Sequence, residues 1–291
     1  MRIRLLGPVE LCDGRRPVPI GPRARVVLAA LAINAGRVVS MHRLIAAVWP
    51  DEPPATAVTQ IHMCVSALRR ALTSLGVAAA RDLIVTAPPG YLLRAGADQI
   101  DVLEFERTLS EARTAAGEGD PRRAAALLHE GLGLWRGPAL EGFPGLTVEA
   151  TRLEERRLAA LEERAEADLA LGRAADLVPE LTALTAEHPL RERLRALLMR
   201  ALHRAGRRSE ALEVYQDARR ALIDELGLEP GPELRRAQDA VLAADDTAES
   251  VARPRFATAA GSGFVSGSGS GAAGLAGGPV SGPAGGPVGG G

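Results

Sequence analysis

With 291 residues, 46% of them apolar, and a net charge of −1, the chain can bury a sizeable core, and its length alone points to about two domains. Its longest unbroken apolar run, residues 26–33, falls far short of the roughly 20 residues a bilayer helix needs, which argues against a membrane span. The charge is unevenly spread: residues 1–97 hold 12 arginines against 5 acids and fit a polyanion such as DNA, whereas residues 98–251 hold 21 against 31 and fit a protein partner.

The opening stretch, MRIRLLGPVELCDG, has only broken apolar runs and no small-residue cleavage pattern, so no signal peptide is expected and the protein is placed in the cytoplasm. Within it, RIRLLGPVEL alternates weakly, CDGR is a turn signal and RPVPI returns as a short strand, together an N-terminal antiparallel sheet. RARVVLAALAINAG then reads as a helix that stops at Gly36, and Ser40 can cap a second helix, MHRLIAAVW, ended by Pro50. In TAVTQIHMCVSALRRAL, residues 56–72, the spacing places Val58, Ile61, Val65, Leu68 and Leu72 in one stripe facing a core. The opposite face carries Thr59, Met63, Ser66, Ala67 and Arg70, with His62 and Arg69 on its flank, a surface that suits nucleic acid and equally suits plain solvent. LIVTAPPGYLL follows as a hairpin with Pro-Pro-Gly at its tip. Sheet, three helices and hairpin in this order are a winged helix-turn-helix, whose third helix enters the major groove; with the basic charge, the order tips the reading of that helix toward DNA.

From about Asp98 to Asp246 the chain is almost entirely helical in pattern and repeats: Gly172 and Gly206 are separated by the tetratricopeptide period. Ala211, Tyr215 and Ala218 in one copy correspond to Leu177, Leu181 and Leu184 in the other, and Gly119, Ala124 and Leu128 show the same shape at an irregular distance. The expected fold is therefore mainly α. A winged helix-turn-helix (1–97) precedes an all-α tetratricopeptide-like repeat domain (98–246) and a disordered Gly/Ser/Ala/Pro-rich tail (247–291). A formal G-x-G-x-x-G at Gly269, Gly271 and Gly274 has neither strand before it nor helix after it, and no nucleotide site is read there.

GPRARVVLAALAINAGRVVSMHRLIAAVW, PPATA, VSALRRAL and TAPPGYLL resemble the OmpR/PhoB-type winged helix of the Streptomyces antibiotic regulatory proteins. GDPRRAAALLHEGLGLWRGPAL, RLEERRLAALEERAEADLALGR, EHPLRERLRALLMRALHRAGRRSEAL and ELGLEPGPEL resemble their bacterial transcriptional activation domain. Over about residues 1–243, the resemblance implies a cytoplasmic activator of an antibiotic biosynthesis cluster in an actinobacterium. It would carry an output domain of the two-component kind, bind direct repeats in double-stranded promoter DNA, pair as a homodimer there and contact RNA polymerase holoenzyme. The chain looks like the small, stand-alone form of the family.

Carried over by position, the recognition helix is Thr56 to Leu72, with Thr59, His62, Met63, Ser66, Arg69 and Arg70 toward the groove. Arg37, Ser40 and Arg43 are candidate phosphate contacts at the second helix, whose N-terminus favours anions. The wing, Leu83 to Arg94, adds Arg81, Thr86 and Arg94, with Tyr91 expected under its turn. Family members commonly carry arginine where this sequence has Ala67 and Ala87, so its target sequence or its independent affinity is expected to differ.

No catalytic pattern competes. His42, His62, His129, His188 and His203 are dispersed, and Glu154/Glu155 and Glu162/Glu163 read as solvated, salt-bridging faces. Cys12 and Cys64 fit no metal or disulfide spacing and read as small buried hydrophobes, while Trp49 and Trp135 read as core anchors. No cofactor, metal or enzymatic activity is expected. The competing reading is a repeat-based interaction or ligand-sensing regulator with weakened or no DNA recognition of its own.

Overall fold

RIR and ELCD form β1 (Arg2–Arg4) and β2 (Glu10–Asp13), and RPV forms β3 (Arg16–Val18). They pair antiparallel in the order β1-β2-β3, with Ile3 opposite Leu11 and Cys12 opposite Pro17. Pro17 lies on an edge strand, where its missing N–H costs no ladder bond. The computed structural model describes residues 1–14, 16–76 and 80–252.

Pro22 opens α1 (Pro22–Ile33), and Ser40 caps α2 (Met41–Val48), its Oγ accepting the Arg43 N–H at 3.2 Å. α3 (Ala57–Ser74) is followed by a short α4 (Ala80–Leu83) and by the wing strands β5 (Ile84–Ala87) and β6 (Gly90–Leu93), joined through a cis Pro88–Pro89 bond. A strand the pattern did not reveal, β4 (Val38–Ser40), pairs with β6, so the wing belongs to a sheet of order β4-β6-β5. Three residues are too few to show an alternation, and the partner strand lies some 50 positions later.

The core stripe of α3 is shifted at its start. Ala57, Ile61, Val65, Leu68 and Leu72 are buried, whereas Val58, expected inside, is 46% exposed. Spacings of four and three residues place Ala57, not Val58, in line with Ile61 and Val65. Cys12 is buried as expected, but Cys64 is only half-buried.

The helical domain is α5 (Asp101–Gly117), α6 (Pro121–Leu132), α7 (Thr147–Ala170), α8 (Ala174–Glu187), α9 (Glu192–Arg204), α10 (Arg208–Leu226) and α11 (Pro232–Ala252). Gly119, Gly172 and Gly206 sit between α5 and α6, α7 and α8, and α9 and α10, with φ of 78°, 80° and 76°. The left-handed turn after each first helix needs glycine, which explains why the repeat is marked by that residue. Ala124 and Leu128, Leu177 and Leu181, and Ala211, Tyr215 and Ala218 are all buried at matching offsets. The irregular first interval has a cause: residues 133–146 form an extra connection between α6 and α7 that runs back onto the N-terminal strands. α11 continues to Ala252, so residues 247–252, assigned to the tail, are helical; the rest of the expected tail lies outside the described residues.

The change of charge near residue 97 is not a gap in the packing. One core cluster joins Ile3, Leu5, Leu28, Leu44, Ile61, Leu68 and Ile84 to Phe105, Leu128, Leu140 and Leu153, and a second begins at Leu158 and runs to Val241. The seam is hydrogen-bonded as well. Asp101, 2% exposed, accepts the amides of Leu5 at 2.8 and 2.9 Å and of Leu6 at 3.1 Å, while the Arg136 amide donates to the Leu6 carbonyl at 2.8 Å. Trp135 stands edge-on to Phe105 at 5.6 Å beneath the Arg157 guanidinium, and Trp49 lies under Arg23; both are half-buried and pack against this core cluster, at its margin rather than inside it.

Glu162 corrects the reading of α7 as a solvated face. It is 2% exposed and receives the Arg191 Nε at 2.6 Å across helices, while Glu163 pairs with Arg113 and Glu154 accepts the Ala139 amide. Two consecutive glutamates on a helix point about 100° apart, so one can be buried while its neighbour is not.

Candidate nucleic-acid interface

α3 is held against the core by its buried stripe, which leaves Thr59, His62, Met63, Ser66 and Arg70 exposed on one side; Met63 is 65% exposed. Ala67 lies half-buried among them. Thr56 stands at the N-cap, and its Oγ1 accepts from Gln60 Nε2 at 3.0 Å. The face is mostly small, polar or apolar, and Arg70 is its one arginine.

Arg69, read with Arg70 as a groove residue, does not share that face. Its Nε and one terminal nitrogen donate to the Ile84 carbonyl at 3.1 and 2.6 Å, and the same terminal nitrogen reaches Thr86 Oγ1 at 3.1 Å. Its guanidinium also lies 5.8 Å from the Tyr91 ring centroid, and His62 meets the same ring edge-on at 6.3 Å. Arg69 is thus a brace between α3 and the wing. Thr86 is engaged by that brace, while buried Tyr91 forms the plate beneath it, as expected for a residue under the turn.

The remaining candidates divide in the same way. Ser40 Oγ is already used to cap α2, and Arg43 lies 3.6 Å from Glu149 at the start of α7. Arg37 and Arg94 are exposed and, among the described residues, their side chains have no ion pair or hydrogen bond. Arg81 falls within α4, but its side chain lies outside the described residues. Ala87 ends β5 opposite Gly90, half-buried beside the tip.

Arg16 and Arg25, which the sequence did not single out, belong with Arg37, Arg70 and Arg94: all are exposed and lack an acidic partner among the described residues. Only the charge balance of residues 1–97 hinted at them. In the helical domain most arginines are paired with acids across or along helices, as in Arg113–Glu163, Arg191–Glu162 and Arg200–Glu166. Arg200 holds the Glu166 carboxyl below the usual range, so that pair stays ionised to lower pH than a free glutamate would. Among the described residues no helix is long and apolar enough to cross a membrane, and no group of His, Cys, Asp and Glu could hold a metal ion.

Two family models match the chain: transcriptional regulatory protein, C terminal, over residues 15–93, and bacterial transcriptional activator domain over residues 100–242. Regulatory protein DnrI of Streptomyces peucetius is 43% identical over 253 residues, covering 84% of this chain and 93% of that protein. Regulatory protein AfsR of Streptomyces griseus is 42% identical over 257 residues, but the chain spans only 25% of its length. A solved structure of Mycobacterium tuberculosis EmbR in complex with a low affinity phosphopeptide matches with a TM-score of 0.79 and 38% identity, over 86% of this chain and 68% of that one.

Proposed function

This chain belongs to the Streptomyces antibiotic regulatory protein family, a family of DNA-binding transcriptional regulators, and we propose that it activates a secondary-metabolite gene cluster by binding direct repeats near a promoter and recruiting RNA polymerase. In this reading α3 enters the major groove and offers Thr59, His62, Met63, Ser66 and Arg70 to base edges. Arg37, Arg43, Arg81 and Arg94 take backbone phosphates, and two copies stand head to tail on a direct repeat. One observation carries it. Arginines without acidic partners gather in the domain that holds the exposed helix and wing, whereas those of the helical domain are largely neutralised in place.

The test is anisotropy of the full chain on its own upstream duplex and on a scrambled one, across salt concentrations. A preference of about a hundredfold or more is expected, and Arg70→Ala should weaken binding and reduce the salt slope by about one unit if it meets a phosphate. Equal, weak binding to both duplexes would sink this reading. It would favour the second, in which the helical domain acts on a protein partner; small Ala67 within the exposed face of α3 and Ala87 at the wing tip support that one.

Met63 allows a finer check. A 65% exposed thioether on this face suits apolar contact with a thymine methyl. Replacing the contacted thymine by deoxyuridine should weaken binding about fourfold, corresponding to ~0.8 kcal/mol for one methyl-sized group. Met63→Ala should erase that difference; a persisting one would place the methyl against another residue.

A further inference from the structure

Residues 98–251 hold 21 arginines against 31 acids, yet one pocket there is lined by two arginines, a histidine and apolar side chains, with no acid among them. Arg122, Ala125, Ala126 and His129 follow at three- and four-residue spacing on one face of α6, and the α7–α8 turn opposite supplies Leu171 and Arg173. The cavity measures about 420 Å³. Next to it lies Asp168, a buried carboxylate whose Oδ2 is 3.2 Å from His129 Nε2 and whose Oδ1 receives the Arg173 guanidinium at 2.8 Å. That carboxylate sets the position of two of the lining groups. The third, Arg122, is exposed and has no ion pair or hydrogen bond among the described residues, unlike most arginines of this domain. Arg173 is also the N-cap of α8 and makes no side-chain cap, so no cap side chain satisfies the first amides of that helix.

We infer that this pocket binds the phosphate group of a small phosphorylated molecule of about nucleotide size. Arg122 and Arg173 supply guanidinium donors from two sides, a geometry suited to phosphate oxygens, while the His129 ring is held beside them through its Nε2 contact to Asp168. The volume lies within the range of small-ligand pockets, roughly 300–1,000 Å³, and a bare phosphate would leave most of it unfilled. The two guanidiniums decide the ligand's sign: Arg122 has no acidic partner among the described residues, and the one buried carboxylate, Asp168, is already engaged by Arg173 and His129.

Calorimetric titration of the full chain with AMP, adenosine and inorganic phosphate, at about 0.15 M salt to screen loose attraction, tests the site. AMP binds, inorganic phosphate binds more weakly, and adenosine gives no heat. Arg122→Ala lowers AMP affinity about tenfold or more, as loss of a charged hydrogen bond does, and because Arg122 is exposed and unpaired the fold is untouched. Arg70→Ala leaves AMP affinity unchanged, which separates this pocket from the DNA-facing surface. Equal binding of adenosine, unchanged AMP affinity in Arg122→Ala, inorganic phosphate binding as tightly as AMP, or no binding by any of the three overturns the assignment.

Discussion

Replacing Asp101 by alanine is expected to lower the unfolding free energy of the full chain by about 3–5 kcal/mol. The carboxylate is buried at the start of α5 and accepts the Leu5 and Leu6 amides through contacts of 2.8–3.1 Å. Alanine leaves both N–H groups without an acceptor in a dry seam, and each buried, unsatisfied group costs about 1–3 kcal/mol beyond the lost charged bonds. For a domain of this size the midpoint of thermal unfolding should fall by roughly 10 °C. Asp101→Asn should retain part of the loss, since one oxygen still accepts.

The pH dependence has a defined sign. Burial pushes the Asp101 carboxyl above the ordinary aspartate value, against the pull of the two amides and of Arg136. Between the ordinary value and the raised one, the folded chain binds the proton more tightly than the unfolded chain. The contribution of this group to stability therefore declines as pH rises through that window, and Asp101→Asn should lack the decline. An Asp101→Ala chain that unfolds like the parent would mean that water replaces the carboxylate and that the seam is wet.

Gly90→Ala is expected to disable the wing while sparing the helical repeats. A Cβ at Gly90 would stand 1.9 Å from the Val39 carbonyl oxygen and 2.8 Å from Ser40 Cα, all backbone atoms that no side-chain rotation can move aside. β4 and β6 must separate, which loses the Val39–Tyr91 and Ser40–Gly90 pairing and shifts the Arg69–Tyr91 plate. Overpacking of this kind costs about 1–3 kcal/mol and occasionally more. DNA affinity should drop about tenfold or more with little change in far-ultraviolet circular dichroism, because most of the helix lies elsewhere. Gly172→Ala is the matched control: its strain at φ 80° costs about 1 kcal/mol, in the repeats, and leaves DNA affinity as it was. Equal DNA affinity for Gly90→Ala and Gly172→Ala would remove the wing from the interface.

Both variants belong in the full chain. A fragment of residues 1–97 would expose the Leu5, Leu6 and Ile3 surface that Asp101, Phe105 and residues 136–140 cover, so its DNA binding would report a damaged domain.

Local pattern was sufficient wherever one element's own residues set its structure. The stripe of α3 from Ile61 onward, the Ser40 cap, the Pro-Pro-Gly wing tip and the recurring glycines at 119, 172 and 206 depend on neighbours a few positions away and were readable, whereas the start of the stripe, Ala57 in place of Val58, was not. The charge split likewise marked the domain with unpaired arginines.

What sequence could not rank were residues alike in type but different in direction. Arg69 and Arg70 are adjacent arginines, and only the 100° turn between them sends one to the Ile84 carbonyl and leaves the other exposed. Glu162 and Glu163 differ in the same way, one buried under Arg191 and the other paired with Arg113. β4 was invisible because a three-residue strand is defined by its partner β6 rather than by its own pattern. The apparent boundary at residue 97 marks a change in charge, while Asp101 and residues 133–146 close one core across it. Composition and periodicity thus determined the class of most elements and the basic character of the first domain. Tertiary structure decided which arginines remain free, because pairing depends on residues dozens of positions apart meeting in space.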